Sequence, residues 1–273
     1  KKKEKIFDPN ICQKYLKKFK FILTNDQIKA MKEINNDLKS KQRMFRLLQG
    51  DVGSGKTIIA LIAALNVIKS GFQVALMVPT EILAKQHYNF ASDLFGKDIS
   101  IELLTGKTQY KQKKSTLENI KQNKIKLIIG THALFQKKVD YKNLGLIIID
   151  EQHKFGVRQR KELSDKGGNN CDVLVMSATP IPRTMIMTIY GDMDVTLIKE
   201  KPKNRKAITT YSKLETKVDE IIKFCKKEIS LGNQIFWVCP LIEKSHKLDH
   251  QSAVEKSKFL EKYFKNKIGQ FCF

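Results

Sequence analysis

Leu47-Leu48-Gln49-Gly50-Asp51-Val52-Gly53-Ser54-Gly55-Lys56-Thr57 decides how this chain reads. Its last eight residues have the form G-x-x-x-x-G-K-[ST], set directly after the apolar run 45–48 and before the helix-like run 58–68. Three glycines let the backbone close on an anion, because side chains there would block N–H groups that must point at phosphate oxygens. The helix that follows presents its positive end to the same oxygens. In this pattern Gly50, Asp51, Val52, Gly53, Ser54, Gly55, Lys56 and Thr57 form the loop; Lys56 reaches the outer phosphates and Thr57 offers its hydroxyl to Mg²⁺. Four fixed positions recur by accident in roughly one chain in a hundred of this length. The strand-loop-helix setting lowers those odds further.

A phosphate loop does not by itself separate kinases, transporters and motors, so a second motif carries more weight. Leu146-Ile147-Ile148-Ile149-Asp150-Glu151-Gln152-His153 places two carboxylates at the C-terminal end of a buried strand, where doubly wound sheets bind their ligands. Asp150 suits the Mg²⁺ shell, and Glu151 suits the orientation and deprotonation of a water. Around these motifs the pattern is α/β. Apolar runs at 74–78, 99–104, 126–129, 146–149 and 173–176 alternate with helix-period segments at 58–70, 81–95 and 110–122. Such continuous runs belong to a parallel sheet buried on both faces, of about seven strands.

The 273 residues suffice for one large α/β domain and a smaller second unit. No run reaches the length needed to cross a bilayer, and no apolar signal segment follows the lysine-rich start. Five scattered cysteines (Cys12, Cys171, Cys225, Cys239, Cys272) lack C-x-x-C spacing, so neither a zinc site nor a disulfide framework is expected. A reducing cytoplasm is the expected compartment. The net charge of +23 favours a polyanionic partner. Most of it comes from lysine in an Ile- and Asn-rich chain, a bias that an AT-rich genome also produces.

Together with Ser177-Ala178-Thr179-Pro180, these motifs resemble superfamily 2 helicases and translocases. Leu47 to Thr57, Pro79-Thr80-Glu81-Ile82-Leu83-Ala84, Gly130-Thr131-His132-Ala133-Leu134, Asp150-Glu151-Gln152-His153 with Phe155-Gly156-Val157, Met176 to Thr184 and Trp237 to Glu243 resemble the RecG family of branched-DNA translocases. The resemblance spans about residues 20 to 265 and implies RecA-like folding, ATP and Mg²⁺ as cofactors, and double-stranded or branched DNA as partner, with no membrane and a monomeric state. It gives Thr24, Asp26 and Gln27 the adenine-recognising segment. From the residues alone, Thr24 or Asn25 caps a helix whose first turn holds Gln27. It also puts Pro79, Thr80, Thr105, Gly106, Thr131 and His132 on the DNA backbone. Lys56, Asp150, Glu151, Gln152 and His153 become catalytic, and Ser177, Ala178, Thr179 and Arg183 couple hydrolysis to movement. A transcription-repair coupling translocase shares part of this motif set; Gln152 and the segment 237–243 favour RecG.

The resemblance divides the chain into a linker helix (1–22), a first RecA-like domain (23–200), a charged linker broken by Pro202 (201–207) and the partial start of a second RecA-like domain (208–273). In that last part a strand at 208–211, a helix at 216–231 and a strand at 234–239 are expected. Lys154 stands where the family carries Arg, which replaces a bidentate fork by a point charge. No Q-x-x-G-R-x-G-R segment and no wedge domain occur in these 273 residues. A truncated chain with slow turnover is therefore expected, an arginine finger being worth on the order of 10³–10⁵ in rate, with a nucleotide-gated DNA-binding fragment without productive turnover as the alternative. His246 and His250 lie i, i+4 in a lysine-rich stretch and are assigned to a surface helix.

Overall fold

Seven strands pair edge to edge, all parallel, in the computed structural model, which describes residues 2–5, 9–18, 22–136, 138–151, 168, 171–179, 193–200, 208–239 and 253–264. They are β1 (Phe45–Gly50), β2 (Gln73–Met77), β3 (Ile101–Leu104), β4 (Leu127–Gly130), β5 (Leu144–Asp150), β6 (Asp172–Ser177) and β7 (Asp194–Ile198). Their order across the sheet is β3-β4-β2-β5-β6-β1-β7. Every residue of β2, β5 and β6 is buried, which is why these segments read as unbroken apolar runs rather than alternating ones. The edge strand β7 is partly exposed.

Successive strand residues point to opposite faces. Leu48, Leu76, Ile148 and Leu174 join one core, whereas Leu47, Met77, Ile147 and Val175 join the other. Helices α1 (Pro9–Lys18), α2 (Asn25–Lys39), α3 (Lys56–Lys69) and α4 (Glu81–Phe95) contribute to the first core, and α5 (Tyr110–Lys121) contributes Ile120 to the second. Helix α3 is buried on all sides from Ile58 to Ile68, so its apolar residues show no single stripe. Burying one such Ile or Leu side chain is worth roughly 1.5–3 kcal/mol, so α3 dominates this face. Among the described residues no helix is long and apolar enough to cross a membrane.

Two buried polar clusters brace the N-terminal side of the sheet. Asp172, at the start of β6, accepts from Lys2 Nζ at 2.7 Å, Lys5 Nζ at 2.5 Å and the Met44 N–H at 2.7 Å. Arg46 of β1 donates to Asp37 of α2 at 2.6 Å and to Thr196 of β7 at 2.8 Å. Both carboxylates sit within reach of cations and N–H groups, so neither is buried without a partner.

The chain separates into two compact units, Lys1–Arg205 and Lys206–Phe273. In the second, α6 (Val218–Ser230) and α7 (Ala253–Phe264) form. The strands expected at 208–211 and 234–239 do not: residues 208–214 and 233–239 take no regular structure, and Phe236 and Val238 point outward at 82% and 86% exposure. A helix closes its hydrogen bonds within itself, whereas a strand needs a neighbour to receive its N–H and C=O groups. None pairs with either segment among the described residues.

Gly130 closes β4 where only hydrogen fits: a Cβ there would lie 1.9 Å from the Leu104 carbonyl oxygen on β3. Gly130→Ala is expected to cost on the order of 1–3 kcal/mol through forced separation of the two strands. Urea unfolding measures it, and an unchanged midpoint would contradict the close approach.

Candidate nucleotide site

Parallel strands deliver all their C-terminal ends to one edge of the sheet, and the register sets which ends are neighbours. Gln49 lies opposite Ser177, Asp150 opposite Met176, Ile149 opposite Met77, and Gly130 opposite both Met77 and Leu104. Along this edge the loops therefore follow in the order Thr105-Gly106, Thr131-His132, Pro79-Thr80, Asp150-Glu151, Ser177-Thr179 and Gly50–Thr57. Residues separated by about a hundred positions in the chain become adjacent, and the predicted nucleotide and DNA residues fall on two halves of one surface.

The phosphate loop is shaped by its glycines. Gly53 and Gly55 have φ of 77° and 88°, in the left-handed region that L side chains rarely adopt. A Cβ on Gly55 would come within 2.4 Å of Gln27 Nε2. The Asp51 carbonyl accepts the Ser54 N–H at 3.1 Å, and the Asp51 carboxylate accepts the Val52 N–H at 2.8 Å. Gly55 caps α3 without a side chain to accept from the first turn, and the buried Ser54 hydroxyl has no hydrogen-bond partner among the described residues. Both features fit a phosphate group, whose oxygens would accept from these donors. Lys56 is 8% exposed and turns back on the loop, donating to Gly50 O at 2.6 Å and Asp51 O at 3.0 Å.

Lys56, Thr57, Asp150, Glu151, Gln27 and Ala178 all line one cavity of about 530 Å³. Thr57 and Asp150 supply hard oxygen donors, and no group of three or more His, Cys, Asp or Glu able to hold a metal occurs among the described residues. That set fits Mg²⁺ held by one or two protein ligands and the phosphates themselves, rather than a protein cage. Burial lowers the Lys56 pKa below the usual lysine value, against the opposing pull of Asp150, Glu151 and Asp51. Glu151 has φ of 51°, unusual for a residue with a side chain, and its N–H donates to Asp150 Oδ1 at 3.1 Å. The other oxygen, Asp150 Oδ2, is 3.0 Å from His87 Nε2.

His87 escaped the sequence reading. Its signal was present but ambiguous: it falls in the buried stripe Ala84, His87, Ala91, Leu94 of α4, where a histidine looks like core until the partner strand is known.

Gln27 takes the place in the first turn of α2 that the capping pattern predicts. Thr24 caps α2 with a reciprocal box, its hydroxyl accepting from the Gln27 N–H at 3.3 Å and its own N–H donating to Gln27 Oε1 at 2.9 Å. The amide nitrogen then donates to Ser54 O at 2.7 Å, which ties α2 to the phosphate loop. Asp26 accepts from the Glu200 and Lys199 N–H groups, which hold its carboxyl below the usual range. Ser177 Oγ contacts Thr179 O and Thr179 Oγ1, each at 3.1 Å, and Gln49 donates to Thr179 O at 3.3 Å. Gln152, His153 and Arg183 lie outside the described residues, as do Lys154, His246 and His250.

On the other half of the edge, Thr80 and His132 are exposed, while Thr105 and Thr131 are buried. Thr80 caps α4 by accepting from the Leu83 N–H at 3.3 Å. Glu81 accepts from the Lys107 N–H at 3.2 Å and pairs with its ammonium at 3.3 Å, holding the Thr105-Gly106 turn against α4.

A depressed lysine gives a definite sign. Between its lowered folded value and 10.5, the unfolded chain binds more protons at position 56, so stability rises with pH through that window; below it the cost is constant. Lys56→Met is expected to keep or raise the thermal midpoint at neutral pH and to flatten that alkaline rise. Glu151→Gly, which relieves the left-handed backbone, is expected to keep or raise the midpoint too, since such strain costs on the order of 1–3 kcal/mol. Differential scanning calorimetry checks both; a clear drop in either would mean the residue holds the fold.

Residues 24–188 match the family model described as DEAD/DEAH box helicase. ATP-dependent DNA helicase RecG of Aquifex aeolicus is 49% identical over 270 residues, covering 96% of this chain and 34% of that protein. The RecG of Bacillus subtilis is 49% identical over 262 residues, covering 96% and 38%. The solved structure of RecG bound to a three-way DNA junction superposes with a TM-score of 0.80 at 42% identity, over 95% of this chain and 34% of that one. Mss116p bound to ssRNA and AMP-PNP has a TM-score of 0.61 at 17% identity over 83% of this chain, a likeness of fold alone. The chain thus spans little more than a third of the length of the curated relatives it matches. With its phosphate loop and acidic pair facing one cavity inside the matched segment, the chain belongs to the DEAD/DEAH box helicase family and is similar within it to RecG helicases.

Proposed function

We propose that this chain is the ATP-binding motor part of a RecG-type translocase that moves along double-stranded DNA and remodels branched junctions. The observation that carries the reading is the meeting of Lys56, Thr57, Asp150 and Glu151 at one cavity, beside strand-end loops suited to a phosphate backbone. The relatives named RecG, one of them solved on a three-way DNA junction, supply the nucleic-acid side. A basic chain without a membrane-spanning helix among its described residues fits a cytoplasmic DNA enzyme.

The residues divide the work by chemistry. The N–H groups of Gly53, Gly55, Lys56 and Thr57 and the Ser54 hydroxyl hold the phosphates, and Lys56 leaves the Gly50 and Asp51 carbonyls for the outer phosphate oxygens. Thr57 and Asp150 hold Mg²⁺, which when bound neutralises the charge that develops on the leaving phosphate oxygens. Glu151 orients the attacking water and takes its proton. Gln27 recognises the adenine edge with the hydrogen-bonding capacity left by its two backbone contacts. Its link to Ser54 makes base occupancy and loop position a single event. Thr80, Gly106 and His132 meet the DNA backbone first because they are exposed, whereas Thr105 and Thr131 are buried. Gln152, His153, Ser177, Ala178, Thr179 and Arg183 transmit the phosphate state.

Phosphate release by the wild-type chain is expected to be slow, to rise on adding duplex or junction DNA, and to fall at least tenfold in Lys56→Ala. Equal release by wild type and Lys56→Ala, with and without DNA, would refute the motor reading of this chain.

A further inference from the structure

Asp150 is held from two sides that the motif does not predict. One oxygen accepts from the N–H of Glu151, its neighbour in the chain, at 3.1 Å. The other faces His87 Nε2 at 3.0 Å, across 63 residues, from the second turn of α4. An ionised carboxylate only accepts, so the imidazole nitrogen facing it is the donor. His87 is 8% exposed in a stripe of Ala84, Ala91 and Leu94, where an unpartnered imidazole would be costly. It also lines the same cavity as Lys56, Thr57 and Glu151.

We propose that His87 is a positioning residue: its Nε2–H fixes the rotation of the Asp150 carboxylate so that the remaining lone pairs face the Mg²⁺ position. A carboxylate offers about four acceptor sites, and the two contacts leave the others for a cation shell. With only the Glu151 N–H holding it, the group would pivot about the Cβ–Cγ bond, and each wrong rotamer would lower the population competent to bind metal. Outer partners that orient a metal ligand are typically worth 10–100-fold in metal affinity. The inference rests on the reading of Asp150 as a Mg²⁺ ligand and goes beyond it by naming what aims the ligand.

The test compares two substitutions of similar volume. His87→Gln keeps an N–H donor near the place of Nε2; His87→Met fills the space with no donor. Binding of a fluorescent ADP is titrated with Mg²⁺ and, separately, in EDTA, so the readout does not depend on turnover. In His87→Met the Mg²⁺ concentration for half-maximal enhancement is expected to rise about tenfold or more, with binding in EDTA unchanged; His87→Gln is expected to stay within about threefold of wild type. Equal Mg²⁺ dependence in wild type and His87→Met overturns the proposal, as does an equal shift in both variants. So does failure of His87→Met to fold while His87→Gln behaves as wild type in stability but not in Mg²⁺ dependence. If instead the wild type shows no Mg²⁺-enhanced nucleotide binding, the reading of the site itself fails, an outcome distinct from any difference between variants.

Discussion

The parallel direction of the seven strands is the constraint from which the rest of the molecule follows. Each strand leaves the sheet at the same edge, so the loops after β1, β2, β3, β4, β5 and β6 share one surface. A mixed sheet with the same residues would send some of those loops to the opposite end. Lys56 and Asp150, one after β1 and one at the end of β5, would then not meet.

That surface carries costs which the sheet beneath it absorbs. A lysine is buried enough to lose basicity, a glutamate is held in a left-handed backbone, and a serine hydroxyl has no partner among the described residues. Each is unfavourable alone, on the order of 1–3 kcal/mol for the strained backbone and the orphaned hydroxyl. They persist because β5, β6 and α3 are almost wholly buried and leave the loops little freedom to relax. Strain gathered around one cavity is what a site built for a ligand exhibits, whereas a turn selected only for stability would shed it.

Side chains at the site also hold more than one position in place. Gln27 closes the cap of α2 and grips the phosphate loop, and Glu81 belongs to the first turn of α4 while fixing the turn after β3. His87 reaches from that same helix to Asp150. Two or more loops of the edge are thereby tied through one rigid helix, a coupling that no single motif displays.

Much of this was legible in the residues themselves. The glycine spacing from Gly50 to Thr57 and the apolar run ending in Asp150 and Glu151 are local: backbone sterics and burial act within a few residues of each, so a sequence carries them directly. Strands at 208–211 and 234–239 were read by the same local rule and did not form, because pairing depends on a partner that composition does not contain. The order of the strands, the gathering of the loops after β1 to β6 along one edge, and the meeting of His87 with Asp150 belong to tertiary structure alone. They depend on register between segments far apart in the chain, and a one-dimensional pattern has no term for which strand lies beside which.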